Sequence, residues 1–302
     1  MVNLTVNIAG IKMKNPVLTA SGCFGYGREY NELYDISKLG GIMTKGTTLE
    51  PKLGNHPPRL AETPAGMLNS IGLQNPGVAK VISEEIPWLR KFDVATIVNI
   101  AGYSVEEFEE LALRLDSVEG VAGLELNISC PNVKGGGMAF GTDPQTAQQV
   151  VKKVRAKTKL PLIVKLSPNV TEITEIAKAV EDAGADAISL INTLLGMAID
   201  VKIRKPVLAN IMGGLSGPAV KPIAVRMVYQ VAKAVQVPII GMGGITNHLD
   251  ALEFILAGAS AVALGAGNFY DPFSPLKVIE GLQEWLIHEG VKDIKEIVGA
   301  CQ

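Results

Sequence analysis

The chain has 302 residues, of which 47% are hydrophobic and 19% charged, and its formal net charge is −2. This composition supports a large core and excludes extended disorder, and the lack of a basic block argues against nucleic-acid binding. The three cysteines, Cys23, Cys130 and Cys301, show no C-x-x-C spacing, so we expect no metal site within the chain. No stretch approaches the ~18 apolar residues of a membrane span, and we expect a reduced, cytoplasmic protein.

The chain opens with a predicted β-hairpin, residues 4–8 and 11–13, which we expect to plug one end of the fold. Eight short apolar runs follow, separated by polar or glycine-rich turns and helical patterns. Several runs are apolar throughout rather than alternating, which is typical of parallel strands buried on both faces. The runs are residues 17–20, 42–44, 94–100, 123–128, 162–166, 187–191, 238–242 and 261–264.

The helical patterns between these runs share apolar residues spaced three and four apart, and several have recognisable start or stop residues. They are residues 105–115, 142–158, 170–183 and 248–257. Alternating strands and helices fit either a closed barrel or an open doubly wound sheet. Eight strands favour the barrel, so we predict an α/β fold of the (β/α)8 TIM-barrel type.

Two connections exceed the ~2–6 residues that are usual between strands and helices in α/β proteins. They are residues 46–82, rich in Pro, Gly and Asn, and residues 194–222. Long insertions at one end of a barrel typically form lids or binding loops. No linker separates a second domain, so residues 1–302 are predicted to form one domain.

Polar or glycine residues follow the predicted strands. The carboxyl ends of barrel strands meet at one mouth, where function resides. Two lysines, three asparagines and two glycine clusters converge there: Ser21, Lys45, Gly46, Asn99, Asn127, Lys165, Asn192, Thr193, Gly243, Gly244, Gly265, Ala266 and Gly267. The last glycines occupy the usual phosphate-binding position of these barrels, with tight strand-to-helix turns as the structural alternative.

Cys130 lies just beyond the fourth strand, between Asn127 and Asn132 and ahead of three consecutive glycines. Such glycines are typical of a lid that closes over a substrate. A buried, inert cysteine is the alternative, but this position favours a functional thiol. Cys23 and Cys301 lack a comparable context and are interpreted as structural or incidental.

These segments resemble dihydroorotate dehydrogenases over nearly the whole chain. The matching segments are residues 15–22, 44–48, 69–77, 127–132, 213–218 and 241–244, with Lys165, Asn192 and Thr193. A cysteine at position 130 is similar to the soluble class 1 enzymes rather than to the membrane-linked class 2, which uses serine there. Residues 198–206 and 213–218 resemble the NAD-dependent type B catalytic subunit, and the fumarate-dependent type A homodimer is the close alternative.

The resemblance implies FMN-dependent oxidation of dihydroorotate to orotate in de novo pyrimidine biosynthesis. It also implies a homodimer core within a heterotetramer, whose second subunit carries FAD and a [2Fe–2S] cluster and passes electrons to NAD. A cluster needs about four thiolates, and the chain has three cysteines, so the cluster is expected only in the partner.

The resemblance assigns roles to individual residues. Cys130 would be the catalytic base that takes the C5 proton, and Lys165 would stabilise negative charge on the reduced flavin. FMN would be held by Ser21, Lys45, Gly46, Asn99, Asn127, Lys165, Ile191, Gly217, Gly243, Gly244, Gly265 and Ala266. The substrate would be held by Lys45, Asn69, Ser70, Ile71, Gly72, Leu73, Asn127, Asn132, Asn192 and Thr193.

Two other functions are open to a barrel with this pattern. One is a flavin-free phosphosugar isomerase or aldolase, in which Lys165 would form a Schiff base. The other is a non-catalytic barrel that serves as a scaffold for a partner. The asparagine-rich mouth is poorly explained by either.

Overall fold

The computed structural model describes residues 2–129 and 138–302. Its strands are short, as in most barrels, and several belong to the long insertions. In chain order they are β1 (Val6–Ile8), β2 (Ile11–Met13), β3 (Val17–Thr19), β4 (Gly41–Met43), β5 (Leu60–Thr63), β6 (Gly66–Asn69), β7 (Ala95–Ile100), β8 (Gly123–Asn127), β9 (Leu162–Lys165), β10 (Ala187–Leu190), β11 (Leu194–Met197), β12 (Ile199–Asp200), β13 (Lys205–Pro206), β14 (Met212–Ser216), β15 (Ile239–Met242) and β16 (Ala261–Leu264).

Eight of these strands are parallel and close into a barrel, in the order β10-β15-β16-β3-β4-β7-β8-β9. They coincide with the eight predicted apolar runs, so the predicted (β/α)8 fold is confirmed. Nearly every residue of these strands is buried, because side chains on one face fill the barrel and those on the other face meet the helices.

The helices surround the barrel. They are α1 (Arg28–Asn31), α2 (Val78–Lys80), α3 (Ile86–Leu89), α4 (Val105–Leu115), α5 (Met138–Gly141), α6 (Pro144–Arg155), α7 (Ile173–Asp182), α8 (Lys221–Ala232), α9 (His248–Leu256), α10 (Gly267–Tyr270) and α11 (Ser274–Glu289), with a π-helical turn over Val81–Glu85 and 3-10 turns over Ile36–Lys38, Pro218–Val220 and Ile294–Ile297. No helix in the described part of the chain is long and apolar enough to cross a membrane.

Capping residues set the helix starts. The bounds of α4 match the prediction, and the Ser104 side chain accepts a hydrogen bond from the backbone N–H of Glu107. The predicted helix 142–158 starts only at Pro144, because the Asp143 side chain accepts from the N–H of Thr146. The predicted helix 170–183 likewise starts late, after the cap Glu172.

The predicted hairpin is present, as strands β1 and β2 in antiparallel register. It lies against the amino-terminal end of the barrel. A Cβ on Gly123, the first residue of β8, would come 2.8 Å from Cδ1 of Ile11, and one on Gly41, the first residue of β4, would come 3.3 Å from Sδ of Met13. The hairpin therefore closes the barrel end opposite to the predicted mouth.

The two long insertions form a second sheet that the sequence pattern did not predict. Strands β5 and β6 of the first insertion join β11 and β14 of the second in the antiparallel order β11-β14-β6-β5. Close backbone approach requires glycine here, since a Cβ on Gly66 would lie 2.1 Å from the carbonyl oxygen of Ser216. The insertions therefore form an ordered wall beside the barrel.

Candidate functional site

A cavity of about 330 Å³ opens at the carboxyl ends of the barrel strands, within the size range of small-molecule sites. The predicted site residues that line it are Ser21, Lys45, Gly46, Asn69, Ile71, Gly72, Leu73, Asn99, Asn127, Lys165, Ile191, Asn192, Thr193, Gly217, Gly243, Gly244, Gly265 and Ala266. One cavity thus collects residues from strand ends and from both insertions.

Lys165, at the end of β9, is nearly fully buried at the floor of the cavity. Its Nζ donates to Oγ of Ser21 at 3.1 Å and lies 3.8 Å from Oε1 of Glu125. Strand register brings these polar residues together, because Lys165 lies next to Asn127 on β8 and next to Ser189 on β10 in the barrel sheet. The barrel therefore holds an ammonium group beneath the cavity with its carboxylate partner deeper inside.

A cluster of amides lies beside this lysine. Oδ1 of Asn127 accepts from the hydroxyl of Ser129 at 3.0 Å, and Nδ2 of Asn192 donates to the same hydroxyl oxygen at 2.8 Å. Nδ2 of Asn127 lies 3.5 Å from Oδ1 of Asn99. The cluster fixes amides that can both donate to and accept from a planar ligand bearing carbonyl and N–H groups.

Lys45, just beyond β4, lines the cavity and is partly buried. Burial lowers the pKa of its ammonium from the usual lysine value, because desolvation disfavours the charged form. No hydrogen bond or ion pair holds its Nζ among residues 2–129 and 138–302. An anionic group in the cavity would supply the charge partner that Lys45 lacks there.

Cys23, interpreted from the sequence as structural or incidental, also lines this cavity. Burial raises the pKa of its thiol to about 11, although the positive charges of Lys165 and Lys45 act in the opposite direction. A thiol with this pKa remains protonated at neutral pH and is a poor base or nucleophile.

Glycines form one wall of the cavity next to the start of α8. Gly217, Gly243 and Gly244 have φ values of 99°, 126° and 82°, a region that favours glycine. A Cβ on Gly244 would come 2.8 Å from Cβ of Lys221 and 2.9 Å from the carbonyl oxygen of Gly217. This tight, side-chain-free wall suits an anion bound by backbone N–H groups.

Another part of the cavity wall is more apolar and comes largely from the second sheet. Leu60, Met67 and Leu215 lie on β5, β6 and β14, and Phe269 of α10 completes this side. Leu60 and Phe269 are 54% and 53% exposed, so these side chains lie at the rim. A ligand in this cavity would therefore meet apolar side chains as well as the lysines and amides.

The family model of dihydroorotate dehydrogenase matches residues 3–286. The chain belongs to the dihydroorotate dehydrogenase family. It is 60% identical over 299 residues to a Desulforamulus reducens protein, covering 99% of this chain and 98% of the relative. It is 58% identical over 300 residues to a Pelobacter propionicus protein, covering 99% of both chains. Both relatives are named dihydroorotate dehydrogenase B (NAD(+)), catalytic subunit.

The resemblance to dihydroorotate dehydrogenases read from the sequence is therefore confirmed, while individual site roles stay predictions. Ser70 is fully buried and does not line the cavity; its backbone N–H donates to the carbonyl of Arg59. Cys130 and Asn132 lie outside the described residues. Sequence reasoning missed Gln74, which lines the cavity, and Glu125, which is fully buried in the barrel. A charged residue inside an otherwise apolar strand was the signal that could have indicated Glu125.

Proposed function

We propose that the chain catalyses FMN-dependent oxidation of dihydroorotate to orotate in pyrimidine biosynthesis. The observation that carries this proposal is the meeting of Lys45, Lys165 and the Asn99–Asn127–Asn192 amides in one cavity. Relatives about 60% identical over nearly the whole chain are named as dihydroorotate dehydrogenases, and the chemistry of the cavity suits dihydroorotate and a flavin.

The cavity fits FMN in three respects. Gly217, Gly243 and Gly244 line the cavity with backbone and without side chains, which suits a phosphate held by backbone N–H groups. Lys165 offers its ammonium to a polar ring edge, and the apolar wall suits a flat aromatic system. When bound, FMN would supply the two-electron acceptor chemistry, which is the cofactor's own.

The chain's residues would bind and orient the substrate. Lys45, which has no charge partner among the described residues, would bind the dihydroorotate carboxylate in a charge-assisted hydrogen bond. The amides of Asn127 and Asn192, fixed by Ser129, would match the carbonyl and N–H groups of the substrate ring. Cys130 would remove the C5 proton, as the family resemblance implies. The Cys23 thiol, with its raised pKa, stays protonated at neutral pH and is a poor base.

For the electron acceptor we propose NAD, reached through a partner subunit that carries FAD and a [2Fe–2S] cluster, with a homodimer of this chain at the core of a heterotetramer. The name of the relatives, NAD-dependent catalytic subunits, supports this assignment. An assay of the isolated chain with NAD or fumarate, with and without a co-purified iron–sulfur partner, tests it. NAD reduction should require the partner. Turnover of the isolated chain with fumarate would favour the type A alternative.

Anaerobic reduction of bound flavin by dihydroorotate tests the proposed reaction. Cys130→Ala should purify yellow and folded but reduce its flavin about 10²–10⁴-fold more slowly, the usual contribution of a general base. Cys301→Ala is the matched control, because Cys301 is exposed and its thiol contacts the carbonyl of Leu256 outside the cavity. Normal reduction in Cys130→Ala would exclude the thiol as base. Colourless wild-type protein that binds no added FMN would contradict the flavin assignment and favour the isomerase or aldolase reading.

A further inference from the structure

Glu125 is a fully buried carboxylate on β8, inside the barrel beneath the cavity. Both of its oxygens have neutral donors. Oε2 accepts from Nδ2 of Asn99 at 2.5 Å, and Oε1 accepts from the hydroxyl of Ser189 at 2.7 Å. Burying a carboxylate is costly unless it is hydrogen-bonded and paired with a positive charge, and such a residue calls for a reason beyond packing.

The paired charge is Lys165, whose Nζ lies 3.8 Å from Oε1 of Glu125. This distance is longer than a hydrogen bond, so the carboxylate attracts the ammonium without accepting any of its three N–H donors. One Nζ donor goes to Ser21 on the cavity side. An ammonium has three donors, which leaves Lys165 able to donate to a ligand while its charge is partly balanced from below.

We infer that Glu125 is a positioning residue that acts through Lys165, fixing the ammonium at the cavity floor and limiting how strongly its charge favours a ligand that becomes more negative. This inference rests on the proposed function, because the ligand is the isoalloxazine ring of FMN, which gains electrons in the reaction. Glu125 would then set the redox potential of the bound flavin below the value that Lys165 alone would give.

The sign of the effect distinguishes this role from a structural one. Glu125→Gln keeps the shape of the side chain. Its amide oxygen can still accept from Asn99, and its amide nitrogen can donate to the Ser189 hydroxyl, which also accepts. The substitution removes the counter-charge, so the midpoint potential of bound FMN should rise, whereas Lys165→Met should lower it. A residue that only supports Lys165 would give a decrease in both variants.

The test is a spectroelectrochemical titration of FMN-loaded wild-type, Glu125→Gln and Lys165→Met protein. We expect the midpoint potential to shift in opposite directions in the two variants, by about 30 mV each. For a two-electron couple this shift corresponds to a roughly tenfold change in the ratio of the dissociation constants of oxidised and reduced FMN. Ser189→Ala, which removes a hydrogen bond but keeps both charges, is the matched control. A potential that falls or stays constant in Glu125→Gln, or a rise as large in Ser189→Ala, would overturn the inference.

If Glu125→Gln fails to fold, the unfolding midpoints of two other variants test the same ion pair. Lys165→Met leaves Glu125 buried without its counter-ion, whereas the double variant Glu125→Gln, Lys165→Met removes both charges. The double variant should therefore have a higher unfolding midpoint than Lys165→Met, and an equal or lower midpoint would contradict the pairing. Wild-type protein that binds FMN but is not reduced by dihydroorotate would instead refute the proposed function.

Discussion

The two ends of the barrel are built from the same eight strands but carry different chemistry. At the amino-terminal end, the hairpin packs Ile11 and Met13 against strand-starting glycines at positions 41 and 123. At the carboxyl end, the strands end in lysines, amides and glycines around a cavity. Residues at the closed end therefore contribute to stability, while those at the open end keep polar groups available to a ligand at the expense of stability.

Removing Ile11 from the closed end should give the largest effect on stability. Ile11 is 5% exposed, and Ile→Ala at such a site lowers the free energy of unfolding by about 2–5 kcal/mol. Urea denaturation measures this loss, and the rate of flavin reduction by dihydroorotate should not change below the transition. Lys12→Ala, at the exposed neighbour on the same strand, should leave both unchanged. Slow flavin reduction in stable Ile11→Ala protein would break the division between the two ends.

Gly244→Ala tests the open end at its glycine wall. The added Cβ would meet the carbonyl oxygen of Gly217 at 2.9 Å, so the wall must shift and we expect FMN binding to weaken about 100-fold, the value of one charge-assisted hydrogen bond. Gly10→Ala is the control, because Gly10 has a φ of 93° but open space around its Cβ position. Equal FMN affinity in the two variants would show that the wall does not bind phosphate.

Lys45→Met should separate binding from stability. Losing a charge-assisted hydrogen bond of about 1.5–3 kcal/mol should lower kcat/KM for dihydroorotate roughly 10- to 100-fold. The free energy of unfolding should not fall, since burial already disfavours the Lys45 ammonium, as its lowered pKa indicates. Steady-state kinetics and urea denaturation on the same preparation measure both quantities. A variant that is less stable but kinetically normal would reverse the assignment.

The smallest effect is a pH dependence. The pKa of Lys45 is lowered, so as the pH rises its ammonium is lost before that of an ordinary lysine. Orotate affinity should weaken over that interval. Without ligand, stability should rise there, because unfolded Lys45 keeps its proton to higher pH. Lys45→Arg retains its charge and should lack this affinity change. If the orotate affinity of wild-type and Lys45→Arg protein depends on alkaline pH in the same way, Lys45 is not the group that titrates.

Local features of the fold could be predicted from the sequence because local interactions determine them. The eight apolar runs locate the barrel strands, and the spacing of apolar residues locates α4 with its bounds and α6 with a start placed too early, at residue 142. The second sheet could not be predicted, because its strands are not continuous apolar runs like those of the barrel. Its pairing joins Leu194 to Leu215 within one insertion and Gly214 to Asn69 across both. No local pattern specifies such register.

The candidate site could be predicted where a residue ends a strand or lies in a family motif. Glu125 was missed because it lies within an apolar run, and only the three-dimensional structure shows Lys165 and Ser189 around it. The position of Cys23 in the cavity could not be predicted, because the sequence does not show that a turn after β3 brings it beside the two lysines. Ser70 lies in a matching segment, yet its side chain is buried outside the cavity.

The most direct measurement is a crystal structure of the protein with FMN and orotate. We predict the phosphate against Gly217, Gly243 and Gly244, the isoalloxazine ring beside Lys165, and the orotate carboxylate on Lys45. Flavin or orotate bound away from this carboxyl-terminal cavity, or orotate seated in it without contact to Lys45 and the asparagine amides, would contradict the account.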